Sequence, residues 1–345
     1  MKAKSTRTVN LKEIAKELGL AVSTVSRALS NPGRVSKSTL IQVTEAARRM
    51  NYTTHAVARS LRVGQSRLFM ALVPGLQSFE SVALVLSGAE ELLLQRGYGL
   101  ILAHLNRIES TERRLFELAC GGLVDGMMTI GPHQEDDGST PLQRVSLPSV
   151  SLLVDRSALG IPSVTTDDRA ATKRAVQHLL QRGHARFMYI AGPDGNYHEL
   201  QRYAGACDAL AEAGLPASAL LRHPGNYQLA DGEAAARFFL QLPEPPTAVV
   251  CCNDHMAIGF MRAARRAGLK IPRDVAVTGF DGIEGAGYCE PGLTTVEQPF
   301  RTIGAAGASM LLGITEGTAQ KPPLHTVIES TLVVRDSTCS HAGSR

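Results

Sequence analysis

Between residues 11 and 62 the chain carries a pattern that few folds accommodate: two short helical stripes parted by a glycine, then a basic, alanine-rich strip. Leu11, Ile14, Ala15 and Leu18 share one stripe, and Gly19 supplies the tight turn that a helix-turn-helix needs. A second helix is expected from about Val22 to Leu29. It buries Val25, Ala28 and Leu29 and turns Val22, Ser23, Ser26 and Arg27 outward at the end that would meet DNA. A third helix, capped by the Ser36 hydroxyl, buries Leu40, Val43, Ala47 and Met50 and closes a miniature core. Thr53 to Leu61 is rich in helix formers but too short to stay helical alone in water, so it should fold only when something stabilises it.

Charge sets this segment apart. Residues 1–65 hold 12 Lys and Arg against 3 Asp and Glu, and the remainder holds 24 against 29, so a net charge of +4 hides a basic head on a mildly acidic body. Phosphate contacts dominate nucleic-acid affinity, and such a head has the electrostatic footprint of a DNA reader. The plainer alternative, a solvated basic tail, is opposed by the helical periodicity and the turn glycine.

The 345 residues, 44% of them hydrophobic, suffice for one small and two medium folding units. No run of 18 apolar residues occurs, so no membrane partner is expected. Met1 to Arg7 lacks the apolar stretch of a secretory signal, which makes the cytoplasm the expected location. Cys120, Cys207, Cys251, Cys252, Cys289 and Cys339 show no C-x-x-C spacing. Most of them read as small apolar residues, and no cofactor or metal is expected.

After Gly64-Gln65-Ser66, strand-like and helix-like stretches alternate. Strands are expected at Leu68–Val73, Gly99–His104, Gly126–Ile130, Ser149–Val154, Phe187–Ala191, Ala248–Cys252 and Val275–Gly279. Helices fit Ser81–Arg96, Thr111–Ala119, Ala170–Arg182, Leu200–Ala213, Gly232–Gln241, Met256–Ala267 and Phe300–Ile314. This order implies an α/β body of parallel sheets covered by helices, with a crevice where strand carboxyl ends present loops to a ligand. A last strand, Thr326–Val334, ends the fold, and Asp336–Arg345 reads as a loose polar tail.

The run Leu11-Lys12-Glu13-Ile14-Ala15, Ser23-Thr24-Val25-Ser26-Arg27-Ala28-Leu29-Ser30, Gly33-Arg34-Val35-Ser36, Asn51-Tyr52 and Ala56-Val57-Ala58-Arg59-Ser60-Leu61-Arg62 closely resembles the head and hinge of the lactose repressor/galactose repressor (LacI/GalR) family. The body continues the resemblance through Gly183-His184, Arg202-Tyr203-Ala204-Gly205, Pro246-Thr247-Ala248-Val249, Asn253-Asp254-His255-Met256-Ala257-Ile258-Gly259, Val277-Thr278-Gly279-Phe280-Asp281 and Leu293-Thr294-Thr295-Val296-Glu297-Gln298-Pro299.

The resemblance implies a helix-turn-helix headpiece at 1–52, a hinge helix and linker at 53–65, and a two-subdomain periplasmic-binding-protein-like body at 66–336. The N-subdomain would take about 66–167 plus 296–325, the C-subdomain about 168–295 plus 326–336, leaving 337–345 as a tail. It also implies that Val22, Ser23 and Arg27 meet base edges while Thr24 and Ser26 meet phosphates. Arginine can donate two hydrogen bonds to guanine, and Val22 offers an apolar surface. A generic phosphate contact is the plainer role for Arg27. Ala21 departs from the pattern, since the family usually places a capping serine there, worth about 1 kcal/mol.

In the hinge, Leu61 matches the leucine that wedges between base pairs in the minor groove, flanked by Ala58 and Arg62. Kinking DNA by apolar insertion costs a few kcal/mol per step, which a pre-positioned pair of hinges can offset with added contacts. The plainer alternative makes Leu61 a linker residue packed on the body. A homodimer on a near-palindromic double-stranded operator follows, and no leucine heptads after residue 335 suggest a tetramer.

For the body, the resemblance implies an effector cleft. Arg202 falls on the arginine that clamps ligand hydroxyl or carboxylate groups, and Asp281 on the acid that accepts from sugar hydroxyls. Asn253 and Asp155 fall on further pocket positions, and Tyr227 takes the place of an aromatic that stacks on a ring. Each has a plainer alternative: solvated helix residue for Arg202, turn residue for Asp281, helix cap for Asn253, core for Tyr227, cap or surface pair for Asp155. Gly282 stands where an acid or amide is usual. The loop Pro74–Glu80 lacks the common Asn-Pro-Phe-Phe signature, leaving Phe79 and Glu80 as candidate lining. The effector classes are a sugar, a sugar acid or a phosphorylated sugar, with Arg156 and Arg107 favouring an acid. Replacing Arg202 or Asp281 by alanine should abolish the ligand response without unfolding the body.

The function implied is a transcriptional regulator, most often a repressor, whose operator affinity follows effector binding by population shift. The alternative is a solute-binding protein of a transport system, opposed by the basic head and the absent signal. An enzyme is not expected, since no G-x-G-x-x-G follows the first strand and no phosphate-binding G-x-x-x-x-G-K-[ST] occurs.

Overall fold

A computed structural model describes residues 9–30, 32–50, 52, 65–73, 79–104, 114–115, 117–131, 147–318 and 322–339. The chain divides into two compact units, residues 1–67 with 122–125, and residues 68–121 with 126–345.

The first unit is built on α1 (Leu11–Leu18), α2 (Val22–Ser30) and α3 (Lys37–Arg49). Asn10 opens α1 with a capping box: its Oδ1 accepts from the Lys12 and Glu13 amides, while Glu13 Oε2 accepts from the Asn10 amide. Gly19 ends the helix at φ 63°, a left-handed turn that costs glycine little. The start of α2 holds without a side-chain cap, because the Ala21 carbonyl accepts from the Thr24 and Val25 amides. Ser36 Oγ accepts from the Thr39 amide and starts α3. Ile14, Ala15, Val25, Ala28, Val43, Ala46 and Ala47 form the buried centre. Leu29, Leu40 and Met50, expected there, pack only at its margin, and Ala46 takes the place beside Val43.

The second unit carries two six-stranded sheets. The first contains β1 (Leu68–Val73), β2 (Gly99–His104), β3 (Gly126–Ile130), β4 (Ser149–Leu152), β5 (Ser163–Thr165) and β11 (His325–Val327), ordered β11-β5-β4-β3-β1-β2. All its pairs are parallel. The second contains β6 (Phe187–Ile190), β7 (Leu220–His223), β8 (Ala248–Cys251), β9 (Ala276–Asp281), β10 (Thr294–Glu297) and β12 (Thr331–Val333), ordered β12-β10-β9-β8-β6-β7. Here β12 runs antiparallel to β10, a departure from the expected all-parallel arrangement. Helices α4 (Phe79–Gln95) and α10 (Phe300–Thr315) pack with the first sheet. Helices α5 (Asp168–Leu180), α6 (Tyr197–Glu212), α7 (Leu229–Phe239), α8 (Asp254–Arg266) and the short α9 (Glu284–Tyr288) belong with the second.

The chain passes between the two sheets three times: from β5 to α5 through Thr166, from β10 to α10 through Gln298, and from β11 to β12 through Ile328–Ser330. The third passage corrects the expectation of one continuous strand at Thr326–Val334. The break at Ile328–Ser330 hands the chain from one sheet to the other, the Ile328 amide donating to the Thr165 carbonyl and Arg174 to the Ser330 carbonyl. The short strands β5, β7 and β10 were not foreseen, since runs of 3 or 4 residues barely register as periodicity. Helices α5, α6 and α8 begin two or three residues before their apolar stripes because Asp167, Asn196 and Asn253 cap them with side-chain oxygens.

Of the expected helix Thr111–Ala119, residues 111–113 and 116 lie outside the described residues, and a widened turn covers Ala119–Leu123. The polar tail also needs correcting. Ser337 and Thr338 are buried, Ser337 Oγ donating to the Val277 carbonyl and accepting from the Thr294 amide, and Thr338 Oγ1 bonding His178. The cysteines are free; Cys251 and Cys252 are buried as expected, but Cys120 is exposed. No helix among the described residues is long and apolar enough to cross a membrane.

Helices α4 and α10 meet backbone to backbone. A Cβ on Gly304 would lie 1.9 Å from the Val85 carbonyl oxygen, and one on Gly88 would lie 2.0 Å from that of Arg301. Gly304→Ala therefore has to separate the helices, with an expected loss of about 1–3 kcal/mol or more by denaturant unfolding. Gly121→Ala, which meets nothing within 4 Å, is the control and should stay near wild type.

Candidate functional sites: a helix face and a buried charge network

On the head, α2 presents Val22, Ser23 and Arg27 to solvent, while Thr24 and Ser26 are half-buried. Val22 is 41% exposed. Arg27 Nε donates to the Ser23 carbonyl at 3.2 Å, which lays the guanidinium along the same face. The helix thus sets a methyl-bearing side chain, a hydroxyl and a guanidinium side by side. Ala58, Leu61 and Arg62 lie outside the described residues.

In the body, Arg202 on α6 is 4% exposed, so it is not the solvated helix residue of the plainer reading. Its Nε lies 3.3 Å from Asp168 Oδ2, its Nη2 3.4 Å from Asp281 Oδ1, and its Nη1 donates to the Cys252 carbonyl. The guanidinium carbon stacks 3.8 Å above the Phe280 ring. Burial works against its charge, but Asp168 and then Asp281 hold it protonated well above the ordinary arginine range. Burial likewise disfavours the Asp168 carboxylate, yet Arg202 and His198 bring it down to about 2. Asp281, at the end of β9 with φ 113°, is pushed up by burial against the pull of Arg202 and Gln298.

The network closes through two of the passages between sheets. Gln298 Nε2 donates to Asp281 Oδ1 at 2.8 Å. The Thr166 hydroxyl reaches both Gln298 Oε1 at 2.9 Å and Asp168 Oδ1 at 3.1 Å, giving its single proton to one of them at a time. Arg202, Asp168, Thr166, Gln298 and Asp281 thus form a ring that includes one residue from each of the first two passages. Beneath it, Asp254 accepts from the Gly282 and Ile283 amides and from the Thr295 hydroxyl. These bonds hold the turn after Asp281, although burial, helped by Asp281, pushes Asp254 up to about 8.

Asn253 and Tyr227 come together beside this ring. Asn253 does serve as the cap of α8, Oδ1 accepting from the Met256 amide at 3.0 Å, and its Nδ2 donates to the Tyr227 carbonyl at 3.1 Å. Tyr227 adopts φ 66°, its ring lies against Gly192, and its hydroxyl donates to Asn196 Oδ1. Asp155 lies on the other half, with Oδ1 accepting from the Ser157 amide and Oδ2 3.4 Å from His325. Tyr197 at the start of α6 hydrogen-bonds the backbone of Asp155, and Glu80 accepts from the Glu284 amide, so both halves meet at the cleft.

Arg156 does not play the expected acid-binding part. It is buried inside the first half, donating to Ser151, Thr129 and the Gly131 carbonyl. Arg107 lies outside the described residues, as does the side chain of Phe79. Sequence reasoning missed Asp168, His198, Thr166 and Gln298. His198 was legible in principle, four residues before Arg202 on one helical face, whereas the other three come together only through the crossing of the chain between sheets. A separate surface groove of about 460 Å³ between α8 and the residues that follow α9, lined by Arg262, Arg265 and Cys289 among others, contains none of the expected site residues. No group of side chains able to hold a metal occurs among the described residues.

A helix-turn-helix head followed by a two-sheet body with a polar cleft defines the class of effector-responsive, DNA-binding transcriptional regulators. Residues 10–55 match the model of the bacterial regulatory proteins of the lacI family, and residues 176–338 match that of the periplasmic binding protein-like domain. The chain is 33% identical to the HTH-type transcriptional repressor CytR of Escherichia coli K12 over 319 residues, which span 92% of this chain and 93% of that one. It is 30% identical to the probable HTH-type transcriptional repressor ExuR of Bacillus subtilis over 334 residues, 95% and 98% of the two chains. Among solved structures, a lac repressor dimer bound to operator and the anti-inducer ONPF superposes with a TM-score of 0.87 at 26% identity, covering 97% of this chain and 100% of that one. A complex of the regulator CelR with cellobiose superposes with a TM-score of 0.71 at 27% identity, covering 95% and 99%. The chain belongs to the lacI family of bacterial regulatory proteins. The solute-binding alternative is not favoured, because the likeness to these repressors extends over the head as well as the body.

Burial changes what substitution of Arg202 should do. Arg202→Ala leaves two buried carboxylates without their cation, so the body should lose about 3–5 kcal/mol rather than remain intact. Because Asp168 titrates below its ordinary value, its contribution is present above about pH 4 and is lost as pH falls through about 2. Asp168→Asn should therefore melt below wild type at neutral pH, and the gap should narrow over that acid range in thermal unfolding.

Proposed function

We propose that the protein is a cytoplasmic, homodimeric repressor without catalytic activity that binds a near-palindromic operator, and that a sugar-like effector held between its two subdomains sets its operator affinity. In this reading Val22, Ser23 and Arg27 read base edges, Thr24 and Ser26 meet phosphates, and Ala58, Leu61 and Arg62 enter the minor groove. Arg202, Asp281, Asn253, Tyr227 and Asp155 line the effector cleft. The likeness to an operator-bound lac repressor dimer and to a cellobiose-bound regulator supports both halves of the proposal.

The observation that carries the coupling is the ring of Arg202, Asp168, Thr166, Gln298 and Asp281. A ligand that engages Asp281 or Arg202 alters groups bonded directly to Thr166 and Gln298, where the chain passes between the halves. An effector with different affinities for two arrangements of those halves then shifts their populations, and a coupling of about 1–3 kcal/mol changes operator affinity roughly 5- to 150-fold.

Fluorescence anisotropy with duplexes from the DNA upstream of the gene, at two salt concentrations, checks the head. Arg27→Ala should cut discrimination between operator and unrelated DNA by about 10-fold or more while binding to unrelated duplex changes little. Equal discrimination by the variant and wild type would remove Arg27 from base readout.

A further inference from the structure

Resting on the hinge reading above, we infer that Asp125 is a positioning residue for operator binding, its carboxylate anchoring the root of the hinge at Ser66 and Arg67. Asp125 Oδ1 accepts from the Ser66 amide at 2.7 Å and from the Ser66 hydroxyl at 2.9 Å, and Oδ2 accepts from the Arg67 amide at 2.7 Å. Both oxygens are thus spent on two successive residues, through short bonds of the charge-assisted kind. Arg67 adopts φ 55°, a left-handed conformation that a residue with a side chain keeps only when its surroundings fix it. The carboxylate is itself held in place. Val124 before it is buried, and a Cβ on Gly126 after it would lie 2.9 Å from Leu311 and 3.0 Å from the Pro148 carbonyl oxygen. Asp125 therefore grips the linker from a backbone that packing keeps from shifting.

The place of this clamp in the chain gives it a function. The compact unit that holds the head ends at Arg67 and takes in residues 122–125, while β1 and β3 begin at the next residues, Leu68 and Gly126. Those strands pair in parallel with Phe69 opposite Gly126, which brings Asp125 level with the start of β1. Only Val63, Gly64 and Gln65 separate Arg62 from Ser66, so with the clamp closed Arg62 stays within about 14 Å of Ser66 whatever path the chain takes. With the clamp open, the first residue held by the sheet is Leu68, paired with Gly99, and Ser66 and Arg67 join the tether. Lengthening a flexible tether from three to five residues costs about twofold in effective concentration for each hinge, and about fivefold for the pair in a dimer. Freeing the turn at Arg67 adds lost direction to lost proximity. A carboxylate that only capped β1 would stabilise the body and leave hinge-dependent binding alone. One that anchors the hinge sets operator affinity but not affinity for unrelated DNA, which rests on phosphate contacts.

The test uses the full chain, with fluorescence anisotropy on the operator duplex from the DNA upstream of the gene and on an unrelated duplex of equal length. Asp125→Asn keeps the shape of the side chain but turns an N–H group toward the Arg67 amide. The expected result is operator binding about 10-fold weaker, with binding to the unrelated duplex changed by less than about 2-fold. Ser66→Ala removes one of the three bonds and should lose about 2- to 3-fold; it decides the matter if thermal unfolding shows that Asp125→Asn does not fold. Leu61→Ala supplies the readout that a merely structural role would not move. On that background, where the hinge no longer engages the operator, Asp125→Asn should cost nothing further. Losses that multiply in the double variant, or equal weakening on both duplexes, would overturn the inference. Leu61→Ala weakening the operator complex while folded Asp125→Asn binds like wild type would overturn it too and leave the hinge reading intact. If Leu61→Ala itself binds the operator like wild type, the hinge reading falls and this inference with it.

Discussion

A guanidinium buried in the body of this protein has to be neutralised where it stands, and the arrangement that does so organises the region around it. Removing Arg202 from water is offset only by charge and hydrogen bonds of matching geometry. Asp168 at the start of α5, Asp281 at the end of β9 and the Cys252 carbonyl just after β8 supply them. Three separate elements are thereby fixed relative to α6 by one side chain. Asp254 repeats the pattern one layer below, tying the turn after β9 to β10.

In the proposed reading, the same network would carry a local event in the cleft to the rest of the body. Thr166 and Gln298 are both the polar partners of the two carboxylates and the residues through which the chain passes from one half to the other. The third passage is pinned to the same region by the Ile328–Thr165 and Arg174–Ser330 bonds. Changing the charge or hydrogen bonding at Asp281 therefore acts on groups where a small rotation of one half against the other would occur. That is the structural requirement for a discrete two-state response, in which ligand affinity differs between arrangements.

Much of this was legible in the sequence, for identifiable reasons. The three helices of the head follow from apolar spacing, Gly19 and the caps at Asn10 and Ser36. The central strands β1, β3, β6 and β8 announce themselves as apolar runs because both faces of each are covered. Arg202 and Asp281 were found through motif resemblance, and the structure brings them within 3.4 Å of each other. What escaped was set by tertiary contacts. Strands of three or four residues lack periodicity, the 325–333 segment changes sheets midway, and Ser337 and Thr338 are polar residues buried by bonds to distant partners. Asp168 and Gln298 look like ordinary turn residues until the passages bring them to Arg202. The reading of Arg156 as a ligand arginine failed because its position after β4 sends the guanidinium inward to Ser151 and Thr129.

The central claim is that the ring through Thr166 and Gln298 carries effector binding in the cleft to the operator-binding form of the protein. The most direct measurement is operator affinity with and without saturating effector, in wild type and in Thr166→Val/Gln298→Leu, alongside effector affinity for each protein in the absence of DNA. The account predicts that the variant still binds effector but that the ratio of its two operator affinities collapses toward one. A variant that binds effector and keeps the wild-type ratio would show that the coupling runs elsewhere.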